Sequence, residues 1–189
     1  MGILSPAEVD LLQESPSGIP KNWINSKKTS AKILTLTNGK KAGFIILPYL
    51  EKGSNELPSE LLTELTAVFK KYKSKTDILI GISPWGYFRE KTLLSSPIYA
   101  AFPLDILLGS GDGPGMTGTV SNNGKTLWVR SYPTGKAVNR IDIFQWPSRD
   151  ADFKWTSGQN IRWFLQSLRD NVREEQTVLK LIEGISDDK

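Results

Sequence analysis

Histidine and cysteine are both absent from this sequence of 189 residues. Without cysteine there is no disulfide, no thiolate nucleophile and no cysteine-ligated zinc or iron–sulfur centre; the compartment stays open, because cytosolic and periplasmic proteins alike can lack cysteine. The missing histidine excludes more. It is the commonest general base near neutral pH and the usual nitrogen ligand of catalytic metals, so histidine triads, histidine-metal sites and phosphohistidine chemistry fall away together. Any catalysis would have to rest on carboxylates, Lys, Arg, Tyr, Ser or Thr. Long apolar runs are missing as well. The longest, Ala42 to Leu50, is interrupted by Gly43 and Pro48 and falls short of the roughly 18 residues that a membrane span needs, so a soluble chain with no membrane span is expected. Residues Met1 to Glu8 lack a basic stretch followed by an apolar one, and no secretory signal is expected in them.

What is present suits a globular protein: 39% of residues are hydrophobic and 10% aromatic, enough for one compact core. Lys and Arg number 24 against 20 Asp and Glu, a net charge of +4. The lysines are scattered in pairs such as Lys27-Lys28, Lys40-Lys41 and Lys70-Lys71. Such spacing describes a solvated surface rather than a nucleic-acid footprint, so no nucleic-acid partner is expected.

Ile33, Leu34 and Leu36 stand among polar neighbours, Asn38-Gly39 supplies a tight turn, and Ala42 to Leu47 continues almost wholly apolar. This predicts a hairpin whose second strand is buried on both faces. Behind Pro58, the residues Leu61, Leu62, Leu65, Val68, Phe69 and Tyr72 recur at helical spacing and predict a helix from Ser59 to Lys73. Asp77 to Ile82 and Leu104 to Leu108 read as buried strands, and their alternation with the helix predicts a largely parallel sheet. Gly118 to Val120, Thr126 to Arg130 and Val138 to Phe144 read as further strands. The turns between them, Asn122-Asn123-Gly124 and Pro133-Thr134-Gly135, are typical of antiparallel hairpins and make the sheet mixed at this end. Beyond Pro147, Ser157 is expected to cap a helix carrying Ile161, Phe164, Leu165, Leu168 and Val172. A second short helix carries Val178, Leu179 and Ile182, and Asp187 to Lys189 are expected to fray.

Four segments over roughly residues 1 to 144 follow in the order of one known family. Ser5-Pro6-Ala7-Glu8-Val9-Asp10 is similar to Gly-Asn-His-Glu-Phe-Asp, keeping its Glu and Asp. Lys41-Ala42-Gly43-Phe44-Ile45 after an Asn-Gly turn is similar to Lys-Val-Gly-Phe-Ile. Asp77 to Gly86 resembles a strand ending in Ser-His-Leu-Gly, and Leu104 to Gly113 resembles Asp-Val-Ile-Ile-Gly-Gly-His-Ser-His, with the strands after it also similar. The chain thus resembles the second half of the calcineurin-like metallophosphoesterases of the 5′-nucleotidase branch. That resemblance implies an α/β fold: a mixed sheet with packing helices, like the second half of a metallophosphoesterase αββα sandwich, plus a C-terminal helical segment. Residues 1–147 would be the half-domain and residues 148–189 a helical extension packed on it. Periplasm or cell envelope is the implied location.

The resemblance also implies where a metal site would lie. The metal-ligating Asn falls at Pro6, the transition-state His at Ala7, and three metal-binding His at Pro84, Gly111 and Gly113. None of these offers a side-chain donor, whereas a pair of catalytic metals needs a cage of Asp, His and Asn. The family's two earlier metal motifs precede the segment matched here. No metal and no other cofactor is therefore expected, and no catalytic residue is assigned. Were the chain active, divalent ions such as Mn or Zn would be required, with an unusual ligand set or one completed by a preceding half.

The surviving carboxylates Glu8, Asp10 and Asp112 read as solvated or capping residues. Ser83, Trp85, Arg89, Ser110 and Asp112 follow two strand ends and form the candidate ligand crevice of an open sheet. Trp85 there either stacks on a ligand ring or fills space. Ser83 has no histidine as base, and Lys91 or Lys136 would need a depressed pKa to serve. A noncatalytic protein binding a small molecule or a protein partner is the leading expectation. An active phosphoester or nucleotide hydrolase is the alternative, and a purely structural domain with Trp155, Trp163 and Phe164 at a partner surface is a third.

Overall fold

The computed structural model describes residues 2–16, 18–51, 53–132, 137–150, 152–168, 172–173 and 175–182. In chain order the elements are β1 (Gly2–Leu4), α1 (Pro6–Gln13), β2 (Trp23–Asn25), β3 (Ser30–Thr35), β4 (Lys41–Ile46), α2 (Ser59–Lys73), β5 (Ile78–Ser83) and α3 (Tyr87–Ser95). There follow α4 (Pro97–Ala100), β6 (Ile106–Gly109), β7 (Met116–Ser121), β8 (Thr126–Arg130), β9 (Ala137–Ile143), β10 (Ile161–Ser167) and α5 (Gln176–Ile182).

Six strands form one mixed sheet in the order β3-β4-β5-β6-β8-β7. The inner four run parallel, and β3 and β7 close the two edges antiparallel. The β3–β4 hairpin turns where expected, with Gly39 at φ 79° and the Asn38 side chain accepting from the Lys40 N–H. At the other edge Asn122 and Asn123 both take positive φ, a conformation their short polar side chains tolerate, and β7 returns as β8. The chain is thus an α/β fold, as the alternation of strand and helix predicts.

Adjacent residues of each inner strand face opposite layers. Leu79, Leu107 and Trp128 point to one side, where Leu62, Leu65 and Phe69 of α2, Leu93 of α3 and Tyr99 of α4 cover them. Helix α2 has the predicted bounds because one face is apolar and Lys70, Lys71 and Lys73 lie at its dipole-negative end. Each of its fully buried Leu65 and Phe69 side chains contributes about 1.5–3 kcal/mol by leaving water. Ile78, Ile106, Leu127 and Val129 point to the other side, beneath Trp155 and Ile161.

That second cover corrects the expected C-terminal helix. Residues Ile161–Ser167 form strand β10, antiparallel to β9, and the two make a separate ribbon. Ile161 and Trp163 face the core, while Arg162 bonds Asp142 across the ribbon. A period of two satisfies these residues as well as a helical period does, and β9 pairs here instead of with β8. Ser157 caps nothing helical; it lies in a turn with a bridge to Ile161. Leu168 and Val172 are exposed. The short helix predicted around Leu179 is α5. Among the described residues of 148–189, strand β10 packs over the sheet and the short helix α5 follows it, so this segment is part ribbon and part helix, and the sheet carries helices on one face and the ribbon on the other. The Pro133-Thr134-Gly135 turn and the frayed end at Asp187 to Lys189 lie outside the described residues. No helix among the described residues is long and apolar enough to cross a membrane.

Candidate functional site

The four parallel strands give the sheet a carboxyl edge, where Ser83, Gly109 and Arg130 end their strands, and an amino edge, where Asp77, Asp105 and Lys125 precede them. The predicted crevice lies on the carboxyl edge, where Ser83 and Trp85 are buried and Asp112 is exposed. Ser83 is fully buried, and its carbonyl accepts from both the N–H (2.9 Å) and the Oγ (3.0 Å) of Ser110. Trp85 is buried in the helix-side core, its indole N–H donating to the Pro48 carbonyl at 2.5 Å. It fills space and presents no face to a ligand. Arg89 ties down the segment after β4, donating to the carbonyls of Leu50 (3.3 Å), Glu51 (2.6 Å) and Ser54 (2.9 Å). Of the five crevice residues, Ser83, Ser110 and the Asp112 backbone come together, whereas Trp85 and Arg89 serve the 48–54 segment.

The glycine loop after β6 packs directly on the turn after β5. A Cβ on Gly111, at φ 77°, would stand 2.6 Å from the Pro84 carbonyl oxygen, and one on Gly113 would stand 2.6 Å from Tyr87 Cβ. Pro84, Gly111 and Gly113, the positions of three family metal ligands, are therefore brought into one small region. Ser26 links Pro6 and Ala7 to the same edge. Its N–H (2.9 Å) and Oγ (2.8 Å) donate to the Leu4 carbonyl just before α1, and its carbonyl accepts from Tyr49 just beyond β4.

Arg130 is what the loop closes upon. Its guanidinium donates to the carbonyls of Ser110 (3.2 Å), Gly111 (3.1 Å), Asp112 (3.0 Å) and Pro114 (2.9 Å), and to Glu90 Oε2 at 2.5 Å. Trp128 donates its indole N–H to the same Glu90 oxygen at 2.8 Å, and the Tyr87 ring stacks on Trp128. Glu90 and Arg130 are both buried. Burial pushes the Glu90 carboxyl above its ordinary range, against the opposing pull of the Arg130 hydrogen bond and charge. Gly109 is glycine because a Cβ there would collide with the Glu90 carboxylate. The result is a fixed cation in a cage of backbone oxygens, a chemistry of structural clamping.

The surviving carboxylates behave as their positions suggest. Glu8 closes a capping box with Ser5, whose backbone and hydroxyl hydrogen bonds hold the carboxyl below its usual value. Asp10 and Asp112 are exposed. Among the described residues no three carboxylates gather as a metal site would require. Lys91 is exposed on α3, and Lys136 lies outside the described residues.

The amino edge holds what sequence reasoning missed. A cavity of about 500 Å³ opens there, between the end of α2, the 100–105 segment and the 148–153 segment. Asp105, buried ahead of β6, accepts from Leu79 N–H at 2.7 Å and from Arg149 at 2.9 Å, with Lys73 Nζ 3.3 Å away. Lys73 also donates to the Pro103 carbonyl, and Lys125 donates to the Phe153 carbonyl at 2.6 Å. Desolvation, opposed by Asp105 and reinforced by Arg149 and Lys125, lowers the Lys73 pKa. The one available signal was a lone aspartate at the head of an apolar strand. Compared with known protein families and with curated proteins, the sequence matches no family model and no individual protein.

Proposed function

We propose that this chain is a noncatalytic, degenerate metallophosphoesterase-like domain of the 5′-nucleotidase type, working as a binding or interaction protein in the periplasm or cell envelope. The observation that supports it best is the Arg130 guanidinium. It draws on four loop carbonyls and Glu90 beside Pro84 and Gly111, positions where the resemblance would put metal ligands. A guanidinium with fixed partners repels a second cation and cannot activate a water. Ser83 is fully buried, and the Ser110 hydroxyl beside Arg130 is spent on the Ser83 carbonyl.

Elemental mass spectrometry of the purified chain, paired with hydrolysis of a generic phosphoester under added manganese, zinc and cobalt, tests this reading. Metal far below stoichiometric and no turnover are expected. Stoichiometric metal with turnover that a chelator abolishes would overturn it in favour of an active hydrolase.

A further inference from the structure

The amino-edge cavity is built from unlike materials. Four cationic side chains, Lys70, Lys73, Lys125 and Arg149, line it against two carboxylates, Asp105 and Asp150. Asp105 is turned inward: one oxygen accepts the buried Leu79 N–H, and both bond Arg149. Its charge is thereby shared among Arg149, Lys73 and a backbone donor, and among the described lining residues cations outnumber carboxylates four to two. Phe102 and Phe153 supply the apolar walls. Lys70 lies over the Phe102 ring at 5.2 Å, so ring and cation are presented together. A volume near 500 Å³ is that of a small-molecule site.

We infer that this cavity binds a small organic anion, one carboxylate or phosphate group carried on a flat apolar body, with the anionic group among Lys70, Lys73, Lys125 and Arg149 and the body against Phe102 and Phe153. The site lies on the edge of the sheet opposite the clamped glycine loop and does not depend on the degenerate-phosphoesterase reading. The pKa of Lys73, lowered by burial, agrees with it, since an arriving anion would raise that pKa back toward its ordinary value.

Titration calorimetry of the whole chain with phenyl phosphate, benzoate and inorganic phosphate tests the inference. Phenyl phosphate or benzoate is expected to bind saturably with a Kd of roughly 1 mM or tighter, and the stronger of the two identifies the anionic group. Inorganic phosphate, lacking the apolar body, is expected to bind at least about tenfold more weakly. Lys70→Glu changes an exposed side chain and should weaken the organic anion about fivefold or more. Lys125→Ala should weaken it in the same direction, with circular dichroism confirming that each variant is folded. Absence of saturable binding by both organic anions overturns the inference. So does binding that neither variant alters, or inorganic phosphate binding as tightly as phenyl phosphate. Because no metal enters this experiment, its failure leaves the proposed function untouched, and the metal assay leaves this inference untouched.

Discussion

Each edge of the sheet carries an arginine bonded to a buried carboxylate, yet the two are used differently. At the carboxyl edge the Arg130 side chain is 1% exposed; at the amino edge Arg149 keeps 33% of its side chain in water. The loop around Arg130 is mostly glycine, so backbone carbonyls reach the guanidinium and the region collapses onto it. The segments around Arg149 carry Phe102, Phe153 and lysines, whose bulk holds a cavity open. A cation with enough backbone around it becomes structure, and the same cation among side chains stays available for a ligand. Open α/β sheets usually bind ligands at the carboxyl edge; here the two edges have exchanged roles.

Breaking the closed edge should have the largest effect. Arg130→Met leaves Glu90 buried without its partner and is expected to lower stability by about 3–5 kcal/mol in urea unfolding. Adding Glu90→Gln to it should recover part of the loss, and a double variant no better than the single would show that the pair is not the source. Gly111→Ala forces a side chain into positive φ against the Pro84 carbonyl and should cost about 1–3 kcal/mol by the same measurement. Both changes strike the carboxyl edge, so neither should alter binding of phenyl phosphate at the amino edge by more than the fraction of chain unfolded.

The acid limb of stability sharpens the comparison. Hydrogen bonds from Arg162 and Arg140 lower the Asp142 pKa, so its contribution is present above the ordinary carboxylate value and disappears as pH falls through the lowered one. Asp142→Asn should flatten the fall of Tm with acid in that window. Glu90 runs oppositely: with a raised folded pKa, its contribution is full below the ordinary value and is lost as pH rises through the raised one. Glu90→Gln therefore should not flatten the acid limb. The smallest effect belongs to Lys70→Glu, which should change unfolding stability by no more than about 0.5 kcal/mol while weakening the organic anion.

Much of the fold was legible because local rules and tertiary packing agree. Helix α2 follows from one apolar face, the first hairpin from Asn38-Gly39, and the parallel strands from short apolar runs around a helix. Residues 161–167 were not legible as a strand, because Ile161, Phe164, Leu165 and Leu168 also satisfy helical spacing. What decides is the free edge of β9, which only the folded chain reveals. The glycine loop was located on the correct edge of the sheet, but its filling was not. Glu90 and Arg130 stand 40 residues apart in sequence and meet only through the sheet. Asp105 and Arg149 stand 44 apart, and no local pattern links them. Trp85 shows the limit from the other side, since nothing in its neighbours tells a stacking ring from a core ring.

The ribbon over the sheet's second face has a consequence for the order of events during synthesis. Ile78, Ile106, Leu127 and Val129 are made well before Trp155, whose indole N–H reaches back to the Asp105 carbonyl at 2.8 Å, and before Ile161, which closes the cluster. As the chain leaves the ribosome the helix side can consolidate at once, while the opposite face waits uncovered for its lid. A nascent chain stalled after β8 would therefore present an apolar surface that chaperones recognise, and release of the last strand is the step that withdraws it.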